Sequence, residues 1–228
     1  EWILNVPRER TASGSCLSYV AFTQESIHNS NMLGAGLLAR ASAHIDDARF
    51  VPTAKEAMRY SCSRQLPDGS WWYGEAANLR WIDNYHTAYN LDSLKWYLRA
   101  TGDREYEGHL ARGLEFFKRH FFLADGTPKY YHDRTFPIDS QCMSQAIETL
   151  ANFGDQDREC LDLAIRVADW AIEVMQDPRR GHFYFRRYRT GLVDRTPMLH
   201  WGQATTYKAL ALLHARLQGT AGNRKPGG

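Results

Sequence analysis

Gln65-Leu66-Pro67-Asp68-Gly69-Ser70-Trp71-Trp72-Tyr73 is the stretch whose reading decides the fold. It is an Asp-Gly turn followed, after Ser70, by three aromatic residues, and it recurs in altered form. Asp125-Gly126 precedes Tyr130 and Tyr131, and Arg180-Gly181 precedes Phe183 and Tyr184. Each stretch then runs into a polar helix start: Trp81-Ile82-Asp83, Pro137-Ile138-Asp139 and Pro197-Met198-Leu199. Asp133-Arg134-Thr135 returns as Asp194-Arg195-Thr196, and Leu94, Leu150 and Leu210 follow one another at spacings of 56 and 60 residues. Ser26-Ile27-His28-Asn29 reads as the start of an earlier, degenerate copy. A period of this size is a repeat signature. Each unit is a helix pair that buries its apolar face only by stacking on its neighbours.

Helical periodicity runs through the rest of the chain. Met32, Gly36, Leu37 and Ala39 open one stripe, with Asn29 or Ser30 as its expected N-cap. Further stripes start at Ala54, Ala88, Leu110, Met143, Leu163 and Ala204; period-two alternation is confined to Phe183-Tyr184-Phe185 and its neighbours. Short connections (Thr101-Gly102-Asp103, Gly154-Asp155-Gln156) alternate with long aromatic ones (65–81, 123–137, 177–198). Such hairpins close tightly at one end and carry a long loop at the other. The expected fold is all-α: repeated α/α hairpins forming a partial or complete toroid with the aromatic loops on one face. A single domain is expected over 1–218, followed by a flexible Gly/Pro/Lys-rich tail, 219–228.

Bulk properties exclude several classes. The net charge of +2 over 228 residues gives no reason to expect a nucleic-acid partner. No apolar run approaches a membrane span. The start, Glu1-Trp2-Ile3-Leu4, lacks Met and has no basic or apolar leader pattern. That start is expected of a trimmed chain or a fragment. Cys16, Cys62, Cys142 and Cys160 form no C-x-x-C pair, and three lie in helical patterns, so buried reduced thiols and a cytoplasmic location are expected. Neither H-E-x-x-H, nor a Gly-rich phosphate loop, nor a G-x-S-x-G elbow is present, and no metal or cofactor is expected.

Gln65-Leu66-Pro67-Asp68-Gly69-Ser70-Trp71 matches Q-x3-G-x-W and so resembles the QW turn of terpenoid-cyclase-like α/α toroids. The wider pattern, an Asp-Gly-aromatic loop and then a helix opening on Asp or His, is similar to six-hairpin sugar-active proteins. These include unsaturated glucuronyl hydrolases, epimerases and lyases of uronic-acid polymers. The resemblance covers the whole chain and implies a toroid. A complete ring of this kind has about six hairpins, so an open arc, a truncated ring and half of a dimer all stay open. In the QW turn, Gln65 is expected to cap a helix end and Trp71 to stack over the turn. Terpene chemistry needs D-x-D-D or D-D-x-x-D; the only Asp pair here, Asp46-Asp47, is followed by Ala48-Arg49-Phe50 and reads as a solvated turn.

Polar residues recur at the helix starts that face the long loops. An isolated Asp83 or Asp139 is as readily an N-cap as a reactive group. His86 stands in the first turn of its helix, where the dipole disfavours a protonated ring and the neutral ring suits general-base work. His132 lies in the second loop, Glu75 in the first, and His200 at the last helix start. The loops supply Trp72, Tyr73, Tyr130 and Tyr184 as flat faces for sugar rings, with Trp201 and Gln203 beside them; half the loop aromatics are expected to be loop core. Arg186 and Arg187 interleave with aromatics, and Arg pairs bidentately with carboxylates.

These features imply a carbohydrate-active enzyme working by acid–base chemistry on an acidic, uronate-containing saccharide. Catalysis is expected of Asp83, His86, His132, Asp139 and His200, and saccharide binding of Trp72, Tyr73, Tyr130, Tyr184, Arg186, Arg187, Trp201 and Gln203. Hydrolysis by two carboxylates and proton abstraction beside a carboxylate both stay open. So do a non-catalytic glycan-binding scaffold, an isoprenoid cyclase-like protein, and a homo-oligomer.

Overall fold

Two aspartates 56 positions apart in the sequence start helices in the same backbone conformation. Asp83 (φ −124°, ψ 165°) accepts a hydrogen bond from His86 N at 3.0 Å, and Asp139 (φ −125°, ψ 166°) accepts one from Cys142 N at 2.9 Å. Both satisfy an amide that the first helical turn leaves without a partner. The computed structural model describes residues 1–222, with side chains through 219. It falls into two units, Glu1–Arg119 and His120–Gly228.

The first unit holds α1 (Trp2–Asn5), a hairpin of β1 (Arg8–Thr11) and β2 (Gly14–Leu17), α2 (His28–Ala41), α3 (Phe50–Cys62), α4 (Asn84–Thr101) and α5 (Glu107–His120). The second holds β3 (Ile138–Asp139), α6 (Ser140–Phe153), α7 (Arg158–Met175), β4 (Arg186–Arg187), β5 (Val193–Asp194) and α8 (Thr205–Gly222). The same packing appears in each. In the first, α2 lies against both α3 and α4, which barely touch; in the second, α6 lies against both α7 and α8. Met32, Ala35, Ala54, Met58 and Leu94 fill the first core, and Met143, Ile147, Leu150, Ala164 and Val167 the second, all fully buried. Each large apolar side chain so buried contributes roughly 1.5–3 kcal/mol relative to exposure. The fold class is therefore the one expected: helical hairpins of the α/α-toroid type.

The turn glycines carry the repeat into three dimensions. Gly14 (φ 109°), Gly69 (φ 95°) and Gly126 (φ 92°) lie in the left-handed region. A Cβ on each would run into the backbone of a helix: Glu56 O of α3, Arg112 O of α5 and, at 2.6 Å, Arg166 O of α7. Only glycine meets both conditions. Gly14 thus extends the repeat to the degenerate first copy.

Several details differ from the sequence reading. Ile27, not Asn29 or Ser30, occupies the N-cap position of α2, and it makes no side-chain cap. His28 N is satisfied instead by Tyr73 O at 3.0 Å. In the QW turn, Trp71 does the capping: it is 1% exposed, and its Nε1 donates to Ser61 O in the last turn of α3 at 2.9 Å. Gln65 ties the turn to α5, donating to Gly69 O and His109 O at 2.9 Å each. The β1–β2 hairpin has no sequence signature, because β1 (Arg-Glu-Arg-Thr) is charged and β2 (Gly-Ser-Cys-Leu) is buried throughout, so neither four-residue strand alternates. Asp47 does sit in a turn, paired with Arg49 at 2.6 Å. The four cysteines are buried thiols. Residues 219–222 of the expected tail continue α8, while 223–228 lie outside the described residues. Among the described residues no helix is long and apolar enough to cross a membrane.

Candidate active site

In the first unit, the aromatic loop 65–81 folds back over the starts of α2 and α4. An isolated bridge joins Ile27 to Gly74, and Tyr73 N donates to Trp81 O at 2.8 Å. The loop therefore lays Tyr73 between Trp81 (ring centroids 4.6 Å apart, stacked) and His86 (4.4 Å). Tyr85 also packs against the imidazole, its ring centroid 4.2 Å away.

Beneath these rings, Asp83 is 2% exposed and uses both oxygens. One caps α4. The other accepts from Trp81 Nε1 at 2.8 Å and faces His86 Nδ1 at 2.7 Å. A carboxylate against Nδ1 fixes that nitrogen as the donor in the neutral ring. His86 Nε2 is then the nitrogen left to exchange a proton, on a side chain 18% exposed. Asp83 and His86 thus form one device rather than two independent groups: a buried orienting carboxylate and a reachable imidazole. Burial pushes the Tyr73 phenol up, so its hydroxyl stays a proton donor near neutrality.

A second polar cluster supports the loop. His28, 1% exposed, contacts Ser61 Oγ through Nδ1 at 3.1 Å and Glu75 Oε1 through Nε2 at 2.7 Å. Asn31 Nδ2 donates to the same Ser61 hydroxyl at 2.9 Å. The hydrogen bond to His28 holds the Glu75 carboxyl below its ordinary range, opposed in part by burial. This Ser–His–Glu chain looks like a nucleophilic triad, but Ser61 is 0% exposed. It pins Glu75, and with it Tyr73, to α2. Residues 28, 61 and 75 are joined across three separate elements, which no local pattern announces. Arg80 was also missed; its guanidinium lies 4.3 Å above the Trp72 ring, on the exposed side of the same loop. Its position immediately before Trp81 was the available signal.

The second unit holds the remaining expected residues. Asp139 caps α6 and pairs with Arg186 Nη2 at 3.2 Å. In the short sheet, Arg186 stands between Asp139 of β3 and Asp194 of β5. Its charge is thereby answered within the fold, whereas Arg187 occupies the alternate register position. Gln203 clamps loop backbone, donating to Phe183 O at 2.7 Å and accepting from Phe183 N at 2.8 Å. Tyr130 packs on Tyr131 at 4.6 Å, and His132 is half-buried between Tyr131 and Arg134, which are bridged. Tyr184 reaches Asp177 at 3.4 Å. His200 stacks on Trp201 at 4.7 Å and both are exposed. Of the loop aromatics, Trp71 and Phe183 are core. A groove of about 480 Å³ lies along α2, lined by Trp2, Leu33, Leu37 and Trp96 among others, and neither Asp83 nor His86 borders it. Among the described residues no group of three or more His, Cys, Asp or Glu side chains is arranged to hold a metal ion.

No protein-family model and no curated protein sequence matches the chain. Solved structures do. A cellobiose 2-epimerase from Bacillus thermoamylovorans B4167 superposes with a TM-score of 0.70 at 14% identity, covering 84% of this chain and 53% of its own. An inactive variant of an α-1,6-mannanase of Salegentibacter sp. HEL1_6, changed at two adjacent aspartates and bound to α-1,6-mannotriose, gives 0.72 at 15% identity, covering 90% and 60%. An unsaturated glucuronyl hydrolase variant with the saccharide dGlcA-Glc-Rha-Glc gives 0.66 at 16% identity, covering 83% and 58%. The chain spans little more than half the length of these proteins. At such identities the likeness shows the fold alone, the α/α toroid that these glycan-processing enzymes share.

Proposed function

We propose that this chain carries the acid–base site of a carbohydrate-active enzyme, with His86 as the proton-transferring residue and Asp83 as the carboxylate that orients it. The observation that carries the reading is the dyad itself: a buried carboxylate holds Nδ1, and Nε2 is left on a side chain 18% exposed that packs against Tyr73 and Tyr85. Stacked rings beside a positioned base suit a sugar, whose C–H faces pack on aromatics while its hydroxyls or ring carbon exchange the proton. The saccharide-processing activities of the structural neighbours support the same class.

Between the two chemistries left open by the sequence, hydrolysis by two carboxylates and proton abstraction beside a carboxylate, proton transfer through His86 is the one favoured. The mannanase neighbour was made inactive by changing two adjacent aspartates. The only such pair here, Asp46-Asp47, lies before α3, with Asp47 engaged by Arg49. An acidic substrate is favoured by Arg80 on the Trp72 face; in the second unit, taken by itself, Arg187, Tyr130, Tyr184, Trp201 and His200 are the residues assigned to saccharide contact. Asp139, Arg186 and Gln203 are assigned to holding the second unit's loops in place, and His132 to the second loop as a further candidate for saccharide contact.

The test is a saccharide panel, neutral gluco- and manno-oligosaccharides against uronate-terminated ones, followed by NMR of both protein and sugar. Shifts of the Tyr73, Trp81 and His86 resonances are expected with uronate-terminated ligands, together with turnover that is lost in His86→Gln. Binding to these rings with turnover unchanged in His86→Gln would refute the assignment.

A further inference from the structure

Two asparagines near the Asp83–His86 pair hold hydrogen-bonding capacity that the fold leaves idle. Asn29 of α2 is 8% exposed and Asn90 of α4 is 2% exposed, and among the described residues neither Oδ1 has a partner. A buried amide ordinarily finds one, because a sealed orphan forfeits the hydrogen bond that water gave it in the unfolded chain. Asn31 shows the ordinary outcome in the same helix: it accepts from Leu17 N and donates to Ala57 O, both at 2.8 Å. Contacts at three levels fix how α2 and α4 lie. At their starts both meet Tyr73, whose carbonyl accepts from His28 N at 3.0 Å and whose ring lies 4.4 Å from that of His86. Midway, a Cβ on Gly36 would stand 3.1 Å from Ser93 O, so the two backbones touch. Further along, the Arg40 guanidinium lies 4.5 Å from the Trp96 ring. The helices therefore run parallel and side by side.

Asn29 stands seven residues before Gly36, and His86 seven before Ser93. Seven residues make nearly two full turns of α-helix. Asn29 and His86 thus occupy the same facing sides as the Gly36–Ser93 contact, at the level of Tyr73. Asn90, four residues after His86, lies on that side of α4 too. Three idle acceptors share this seam: Oδ1 of Asn29, Oδ1 of Asn90, and His86 Nε2, since the imidazole proton is held on Nδ1 by Asp83. From this grouping we infer that Asn29 and Asn90, with His86, form a subsite for ring hydroxyls of the substrate, an inference that rests on the saccharide reading of the dyad. The occupant has to bring donors. An ionised carboxylate has none and would meet acceptor lone pairs. A sugar hydroxyl donates to an asparagine oxygen and keeps its own lone pairs for an amide nitrogen. The subsite therefore takes the hydroxylated part of a uronate, and the carboxylate is left to a cation such as Arg80.

The probe is methyl β-glucuronide with its 2-, 3- and 4-deoxy forms, titrated calorimetrically into the parent, Asn29→Leu and Asn90→Leu. Leucine keeps the volume of asparagine and removes its hydrogen bonding. Affinity for methyl β-glucuronide is expected to fall roughly tenfold or more in each variant. One deoxy sugar should show the same loss on the parent, and no further loss on Asn29→Leu. Because the free protein uses neither Oδ1, the urea midpoint should hold or rise in both variants. A lowered midpoint in both would mean that the amides already serve the fold or a buried water alone, and overturns the inference. Equal affinity in the parent and both variants overturns it as well, and leaves the Asp83–His86 reading standing. A parent that binds none of the four sugars sinks both. Turnover unchanged in His86→Gln, with affinity lost in Asn29→Leu, refutes the dyad reading and keeps the hydroxyl subsite.

Discussion

Replacing Asp83 tests the site and the fold together, because its two oxygens serve different partners. In Asp83→Ala, α4 loses its N-cap, which costs about 1 kcal/mol. The Trp81 indole N–H also loses its 2.8 Å acceptor in a largely buried position, a further 1–3 kcal/mol or roughly so. His86 Nδ1 is partly reachable by water and adds little. The sum is about 2–4 kcal/mol. In Asp83→Asn, the amide oxygen keeps the cap on His86 N, and only the Trp81 contact turns unfavourable, so about 1–2 kcal/mol is expected. The amide nitrogen, however, now donates toward His86 Nδ1 and forces the neutral ring into the other tautomer, with its proton on Nε2. Urea unfolding followed by fluorescence and circular dichroism reads the first effect as a shift in midpoint at constant slope. Long-range ¹H–¹⁵N spectra of the imidazole read the second. The reasoning is refuted if Asp83→Ala costs under about 0.5 kcal/mol, or if the His86 tautomer is the same in the parent and in Asp83→Asn.

Other outcomes follow from the same contacts. Gly126→Ala, which combines a positive φ with a Cβ 2.6 Å from Arg166 O, is expected to cost about 2 kcal/mol or more. Gly181→Ala, with the same sign of φ but open space around it, should cost about 1 kcal/mol; equal losses in the two unfolding curves would count against the seated-turn repeat. The depressed Glu75 carboxyl stabilises the first unit above its unfolded pKa of roughly 4.3, and that contribution fades as pH falls through its lower folded value. Glu75→Gln should accordingly lower stability at pH 6, with the difference from the parent shrinking as pH falls below roughly 4, and a constant difference across that range would exclude the linkage. Gln203→Ala removes both bonds to the Phe183 backbone and is expected to raise hydrogen exchange at Phe183 at least tenfold, while amides near Asp83 keep their protection.

The parts of this molecule that were legible in the sequence are those written locally or periodically. Asp-Gly turns, aromatic bursts and the recurrence of Leu94, Leu150 and Leu210 specify stacked hairpins, because each signal lies within one helix or one loop. Asp83 and His86 were legible as a pair for the same reason: three residues apart at a helix start, they meet through the helix geometry itself. What stayed hidden depends on contacts between distant segments. Nothing near His28 indicates that Ser61 and Glu75 will complete its hydrogen bonds. Arg186 read as a free carboxylate clamp until the β3–β4–β5 register put Asp139 and Asp194 beside it. Gln203 had the composition of a binding residue, yet its amide is used on loop backbone 20 positions earlier. Polar groups in this protein are assigned by tertiary pairing, and only the sheet and loop registers reveal which remain open to a ligand.

The central claim is that Asp83 acts on a saccharide through His86. Its most direct test is the rate of turnover of uronate-terminated oligosaccharides by the parent, His86→Gln and Asp83→Asn, measured alongside saccharide affinity. The account predicts kcat reduced by at least a hundredfold in both variants, with affinity for the sugar kept within a few-fold because the Tyr73 and Trp81 rings remain. Undiminished kcat in either variant, with binding intact, would contradict it.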